Sequence, residues 1–193
     1  FELAFLDAVS KKGYEVTSED IALDWVGLIP CGWSAEELAI RNIKNGIFPP
    51  ESGTHCNPFN EWIGAQMRAG VCGMAAPGKP YIAAMLAWRD GEVSHANNGI
   101  LGEVFNAVMT SLAFVDTDIR NVVRTSIDLI PKDSEYYSVV SYAYDCCICY
   151  EHWQDALKAC MDKFHKYNWI HAYPNACCEI IALIYGNGDF RET

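Results

Sequence analysis

Apolar residues recur along most of this chain at three- and four-residue spacing, and that periodicity confines it to helices. The clearest run is Ile100, Leu101, Val104, Phe105, Val108, Met109 and Leu112. It predicts one long helix over about 98–114 with a wide buried stripe. Ser34-Ala35-Glu36-Glu37 reads as a capping box, opening a helix that runs to about Asn45, where Gly46 and Pro49-Pro50 stop it. The stretch 51–60, rich in Ser, Gly, Thr, Asn and Pro, reads as loop. A short segment from Glu61 to Ala69 follows, ending at Gly70 and Gly73. Further helices are predicted from Pro80 to about Asp90, from Ile119 to Ile130, from a Ser134 cap through Tyr150, from Trp153 to Tyr167, and from Pro174 through Tyr185. No hairpin signal and no βαβ cycle interrupts them. The expected fold class is all-α, and the helix-loop lengths vary too much for a solenoid repeat.

A chain of 193 residues can bury a sizeable core and reads as one helical domain over 1–193. It begins inside an apolar pattern and stops where another helix is starting, so truncation at both ends is expected. No apolar run reaches the roughly 20 residues that span a bilayer, and no secretory signal is visible. A net charge of -11 without a basic stripe argues against binding a nucleic-acid backbone. The nine cysteines are odd in number and crowded, which points to reduced thiols and a cytoplasmic setting. Cys146 and Cys149 form a C-x-x-C inside an apolar helix, where small buried hydrophobes compete with a metal or redox pair. Asp116-Thr117-Asp118 could pair on a metal but stands between two helices, where aspartates cap.

Three polar stretches lead into helices and hold residue types that a plain core does not need. In Asn57-Pro58-Phe59-Asn60-Glu61-Trp62-Ile63-Gly64-Ala65 a loop meets small residues, which suits either a ligand approaching the backbone or a close helix crossing. In Ser94-His95-Ala96-Asn97-Asn98-Gly99 a histidine precedes the longest helix, as a site residue or a satisfied cap. Trp169-Ile170-His171-Ala172-Tyr173-Pro174-Asn175 repeats the pattern near the end. Together the three suggest the rim of one cleft.

In this order, with Pro49-Pro50-Glu51-Ser52 ahead, the stretch through Gly64-Ala65-Gln66-Met67-Arg68 resembles the "G-x-M-R" segment of the ADP-ribosylglycohydrolase family. Ala76-Pro77-Gly78, Ala87-Trp88-Arg89-Asp90 and Ser94-His95 follow as they do there, and Tyr185-Gly186-Asn187-Gly188-Asp189-Phe190 resembles the approach to the family's last metal motif. The family includes enzymes that remove ADP-ribose from dinitrogenase reductase and from arginine or serine side chains. The resemblance implies an orthogonal multi-helix bundle and a hydrolase that cleaves the N- or O-glycosidic bond at ribose C1 of an ADP-ribosylated protein or a small ADP-ribosyl or nucleoside substrate.

It also implies a substrate-binding set: Phe59, Asn60, Glu61, Trp62, Gly64, His95, Asn98, Gly99, His171 and Asn175. The segment from Phe59 to Gly64 aligns with the loop that cradles the diphosphate and adjoining ribose, and His95 with the histidine of the family's cleft. Trp62 and Ile63 stand where many relatives have Gly-Asn. Two magnesium ions are implied only with an early Thr-Asp-Asp and a late Gly-Asp-x-Asp cluster, expected before Phe1 and after Thr193. No metal ligand and no catalytic residue is assigned within the chain, and without those clusters this segment alone is expected to be inactive. The rival readings are a silent ADP-ribose-binding or crystallin-like member, a hydrolase of a free nucleoside, and an unrelated helical interaction protein.

Overall fold

A computed structural model describes all residues from Phe1 to Thr193. The elements are α1 (Glu2–Lys12), α2 (Ser18–Leu28), α3 (Ser34–Lys44), α4 (Glu51–Thr54), α5 (Gly64–Arg68) and α6 (Gly70–Ala75). They continue with α7 (Pro80–Gly91), α8 (Asn97–Ala113), α9 (Ile119–Asp128), α10 (Glu135–Cys149), α11 (Trp153–Lys163) and α12 (Ala172–Gly186). There is no sheet, so the fold is an all-α bundle; the one β feature is an isolated antiparallel bridge between Trp62 and His171.

Helix α8 is the axis of the molecule because its apolar residues cover most of its circumference. The helices α5, α6, α7, α9, α10 and α12 all pack on it. Phe105, Ala107 and Val108 are fully enclosed there, beside Leu86 of α7, Tyr136 of α10 and Ile180 of α12. Burying one such large apolar side chain is worth about 1.5–3 kcal/mol. The helices α1, α2 and α3 form a second layer, with α2 also reaching α7. No helix is long and apolar enough to cross a membrane.

Local chemistry explains most helix ends. Ser134 accepts from the Tyr137 amide at 3.0 Å and starts α10. Asp118 accepts from the amides of Arg120 and Asn121 and starts α9, while Asp116 accepts from the Asp118 amide, so the D-x-D is a cap. Gly46, in the left-handed region at φ 84°, follows the end of α3. All nine thiols are free; Cys149 is exposed, while Cys146, Cys160 and Cys177 are buried on α10, α11 and α12.

Three expectations need correction. Trp33, and not Ser34, is the N-cap residue of α3; Ser34 itself has φ 38°, and Glu37 reaches back to the Gly32 amide at 3.0 Å. Residues 51–54 form the short helix α4 within the expected loop. The helix α5 does end at Arg68, but Gly70 then opens α6 and Gly73 lies inside it. The reason is packing. A side chain at Gly73 would strike the Ala107 carbonyl of α8, so glycine there permits a close crossing that outweighs its poor helix propensity.

Candidate functional site

The loop 57–63 is the meeting point of the three polar stretches. Asn57 anchors it, donating to the carbonyls of Ala35 and Ser94 at 3.2 and 3.0 Å. The Ala96 amide donates to the Asn60 carbonyl at 3.0 Å, tying in the start of α8. The Ala172 amide donates to the Glu61 carbonyl, and the Ile63 amide to the Ile170 carbonyl, which ties in the start of α12. Gly99 allows this approach, since a Cβ there would overlap the Asn60 carbonyl.

The two sides of that loop face different spaces. One side walls a cleft of about 390 Å³ lined by Gly32, Trp33, Ser34, Glu36, Trp62, Ile63, Gly64, Met67, Arg68 and Ile170, with Phe1 and Glu2 at its edge. Trp33 is 86% exposed on the rim, and Trp62 is propped by Phe59 at 4.4 Å between ring centres. The other side forms a shallower groove with Glu61, Trp88, Asn97, Asn98, Ser134 and Glu135.

The expected site residues divide accordingly. Trp62 and Gly64 line the cleft, with Phe59 behind Trp62. Glu61 and Asn98 line the opposite groove and bond to each other, Asn98 Nδ2 donating to Glu61 Oε1 at 3.2 Å. The His171 ring, 3.7 Å from Glu61 Oε2, and the Asn98 donors hold the Glu61 carboxyl below the usual range against its burial. His171 also caps α12 by accepting from the Tyr173 amide. Asn175 donates to the carbonyls of Trp169 and His171, both at 2.8 Å, and so shapes the loop above the cleft. Asn60 and Gly99 form the backbone junction described above.

His95 lies fully buried behind the cleft wall. Its Nε2 accepts from the Ala65 amide at 3.4 Å, which leaves the proton on Nδ1, 2.7 Å from Ser94 Oγ. Burial, aided by Arg68, depresses its pKa well below the ordinary value, so the ring is neutral. Its contact is with the backbone of α5, not with the open space.

Beneath the cleft lies a buried charge cluster. Arg68 Nη1 donates to Glu36 Oε1 at 3.0 Å, Nε donates to Asp90 Oδ2, and Nη2 lies 3.5 Å from Glu103 Oε2. Nη2 also donates to Ser94 Oγ at 3.2 Å, and the guanidinium stacks 4.9 Å from the Trp25 ring. Burial opposes the positive charge, but Asp90, Glu103 and Glu36 overcome it and raise the Arg68 pKa. One cation thus faces three carboxylates. Burial drives the Glu103 carboxyl well above the usual range, and burial also raises Glu36 despite the pull of Arg68.

These acids converge on a guanidinium, and no group of three His, Cys, Asp or Glu side chains is arranged to hold a metal ion. The residues of this chain therefore do not fit a two-magnesium centre.

Arg68, Glu36, Trp33 and Gly32 were not singled out from sequence. Glu103 carried a signal: it interrupts an apolar stripe between Leu101 and Val104, where only a buried partner would keep a charge. Glu36 carried none, because a helix's first turn is an ordinary place for an acid.

A family model described as ADP-ribosylglycohydrolase matches residues 1–193. Searches of curated proteins and of solved structures return no match.

Proposed function

The chain belongs to the ADP-ribosylglycohydrolase family, and we propose that its cleft holds the ADP-ribosyl group of a substrate whose N- or O-glycosidic bond at ribose C1 is hydrolysed. The observation that carries this reading is the cleft itself. It is an aromatic-rimmed space of about 390 Å³ built on the Trp62–Arg68 segment of the family motif, with Glu36 as its buried carboxylate. The exposed face of Trp33 and the propped ring of Trp62 suit stacking of a base or sugar face.

Hydrolysis at C1 develops oxocarbenium character, which a nearby carboxylate stabilises. Within these residues the contribution is binding and orientation: Arg68 fixes Glu36, while His95 fixes the backbone that carries Gly64. Magnesium, which the resemblance implies, would have to be held by acidic clusters outside these residues, in a cytoplasmic enzyme acting on ADP-ribosylated protein or a small ADP-ribosyl substrate.

One observation favours a second reading, a hydrolase of free nucleosides. The cleft's single arginine is already shared among three carboxylates, and the amides of Ile63 and Ala65 are already donating, so little remains to neutralise a diphosphate. Calorimetry decides between them. ADP-ribose should bind, and His95→Ala should weaken it by loosening the Ala65 backbone. Binding of adenosine with no measurable binding of ADP-ribose would transfer the assignment to nucleosides. Unchanged ADP-ribose affinity in His95→Ala would remove that histidine from the site.

A further inference from the structure

We infer that Glu36 selects the ribosyl group, its free carboxylate oxygen accepting a hydrogen bond from a ribose hydroxyl; the inference rests on the proposed function and names a contact behind it.

The carboxylate is presented in a definite way. Glu36 leaves the first turn of α3 and reaches the cleft floor, where Arg68 Nη1 grips Oε1 at 3.0 Å. Oε2 makes no hydrogen bond to another residue, although the side chain is almost entirely buried and lines the cleft. That oxygen is open to the cleft and not sealed from it, so an arriving hydroxyl can donate to it in place of solvent. Room for the group comes from Gly64. A Cβ on that residue would lie 2.8 Å from Glu36 Cδ and 3.0 Å from Oε2, so any side chain there would displace the carboxylate.

Charge restricts what the oxygen can accept. Asp90 shares Arg68 with Glu36, which leaves the floor of the cleft without a free positive charge. A phosphate would be repelled at this point. A hydroxyl donates to the carboxylate without bringing an opposing charge, and a charge-assisted bond of this kind is stronger than one between neutral groups. The flanking Trp62, Ile63 and Met67 offer apolar surface to a sugar ring.

The test uses calorimetry with adenosine, 2′-deoxyadenosine, 3′-deoxyadenosine and ADP-ribose on the wild-type chain, Glu36→Gln and Gly64→Ala, with thermal melts as a check on folding. The wild-type chain should prefer adenosine to at least one deoxy analogue by about tenfold, the worth of one charge-assisted hydrogen bond. Both variants should shrink that ratio to about threefold or less, one by removing the charge and the other by moving it. Gly64→Ala keeps the Glu36 and Arg68 charges, so it reports even if Glu36→Gln fails to fold. Equal binding of all three nucleosides by the wild-type chain, or an undiminished ratio in either folded variant, overturns the role of Glu36. Tighter binding of N-acetylarginine amide than of adenosine also overturns it, since the floor would then be a cation site. ADP-ribose binding without discrimination leaves the proposed function standing and removes Glu36. Discrimination among nucleosides without ADP-ribose binding does the reverse.

Discussion

Helix α5 buries two polar side chains only two residues apart, and they meet different fates. Arg68 enters a cluster of ionisable groups, with Glu36, Asp90 and Glu103 around it. Gln66 enters a network of mostly neutral groups, donating to Glu179 Oε2 at 3.0 Å and accepting from the Tyr136 hydroxyl at 3.3 Å. The first cluster borders the cleft and leaves a carboxylate oxygen free there. The second ties α5 to α10 and α12, and both ends of the Gln66 amide are occupied. Burial of polar groups alone therefore does not mark a site. What marks it is hydrogen-bonding capacity left over and facing open space.

The largest effect should come from removing the cation. Arg68→Met leaves three buried acids with no counter-charge and should cost about 3–5 kcal/mol in denaturant unfolding, as for other broken buried ion pairs. A loss below about 1 kcal/mol would mean that the acids simply take up protons, and the contrast with Gln66 would disappear. Gln66→Leu comes next. It strips partners from Tyr136 and Glu179 and should cost about 1–3 kcal/mol, the usual penalty for orphaned neutral groups.

The smallest effect is a change of slope with pH. Burial raises the Glu179 pKa, and the bonds from Asn106 and Gln66 only partly offset that. With its folded value above the unfolded one, the group's favourable contribution is complete below about pH 4.3 and is lost as pH rises through the folded value. Glu179→Gln should flatten this decline in a series of melts from acid to neutral pH. A slope that does not change would show that Glu179 is solvated and outside the network.

The helices were readable to different degrees, for physical reasons. Those from α7 to α12 announce themselves because periodicity, Ser134, Asp118 and Pro80 are local signals that act within a turn or two. The start of α3 misled because Ser34 and Glu37 have the letters of a capping box, yet the chain enters from Gly32 and gives Glu37 a different amide. The helix α6 was hidden because its glycines are justified by α8, far along the sequence. At the site, the three polar stretches were expected to rim one cleft; they meet at the loop 57–63, but their residues divide between two spaces. Their order did not foretell that the loop would turn Trp62 and Gly64 to one side and Glu61 and Asn98 to the other.

The sequence by itself determined the helical class, most helix positions and the family, since these depend on short-range periodicity, caps and motif order. Only the tertiary structure decided that Glu36, Arg68, Asp90 and Glu103 share one buried cluster, and that the Glu36 carboxylate of that cluster borders the cleft. Coulomb forces and hydrogen bonds depend on distance in space, and α3, α5, α7 and α8 bring those four residues together only once the core has closed.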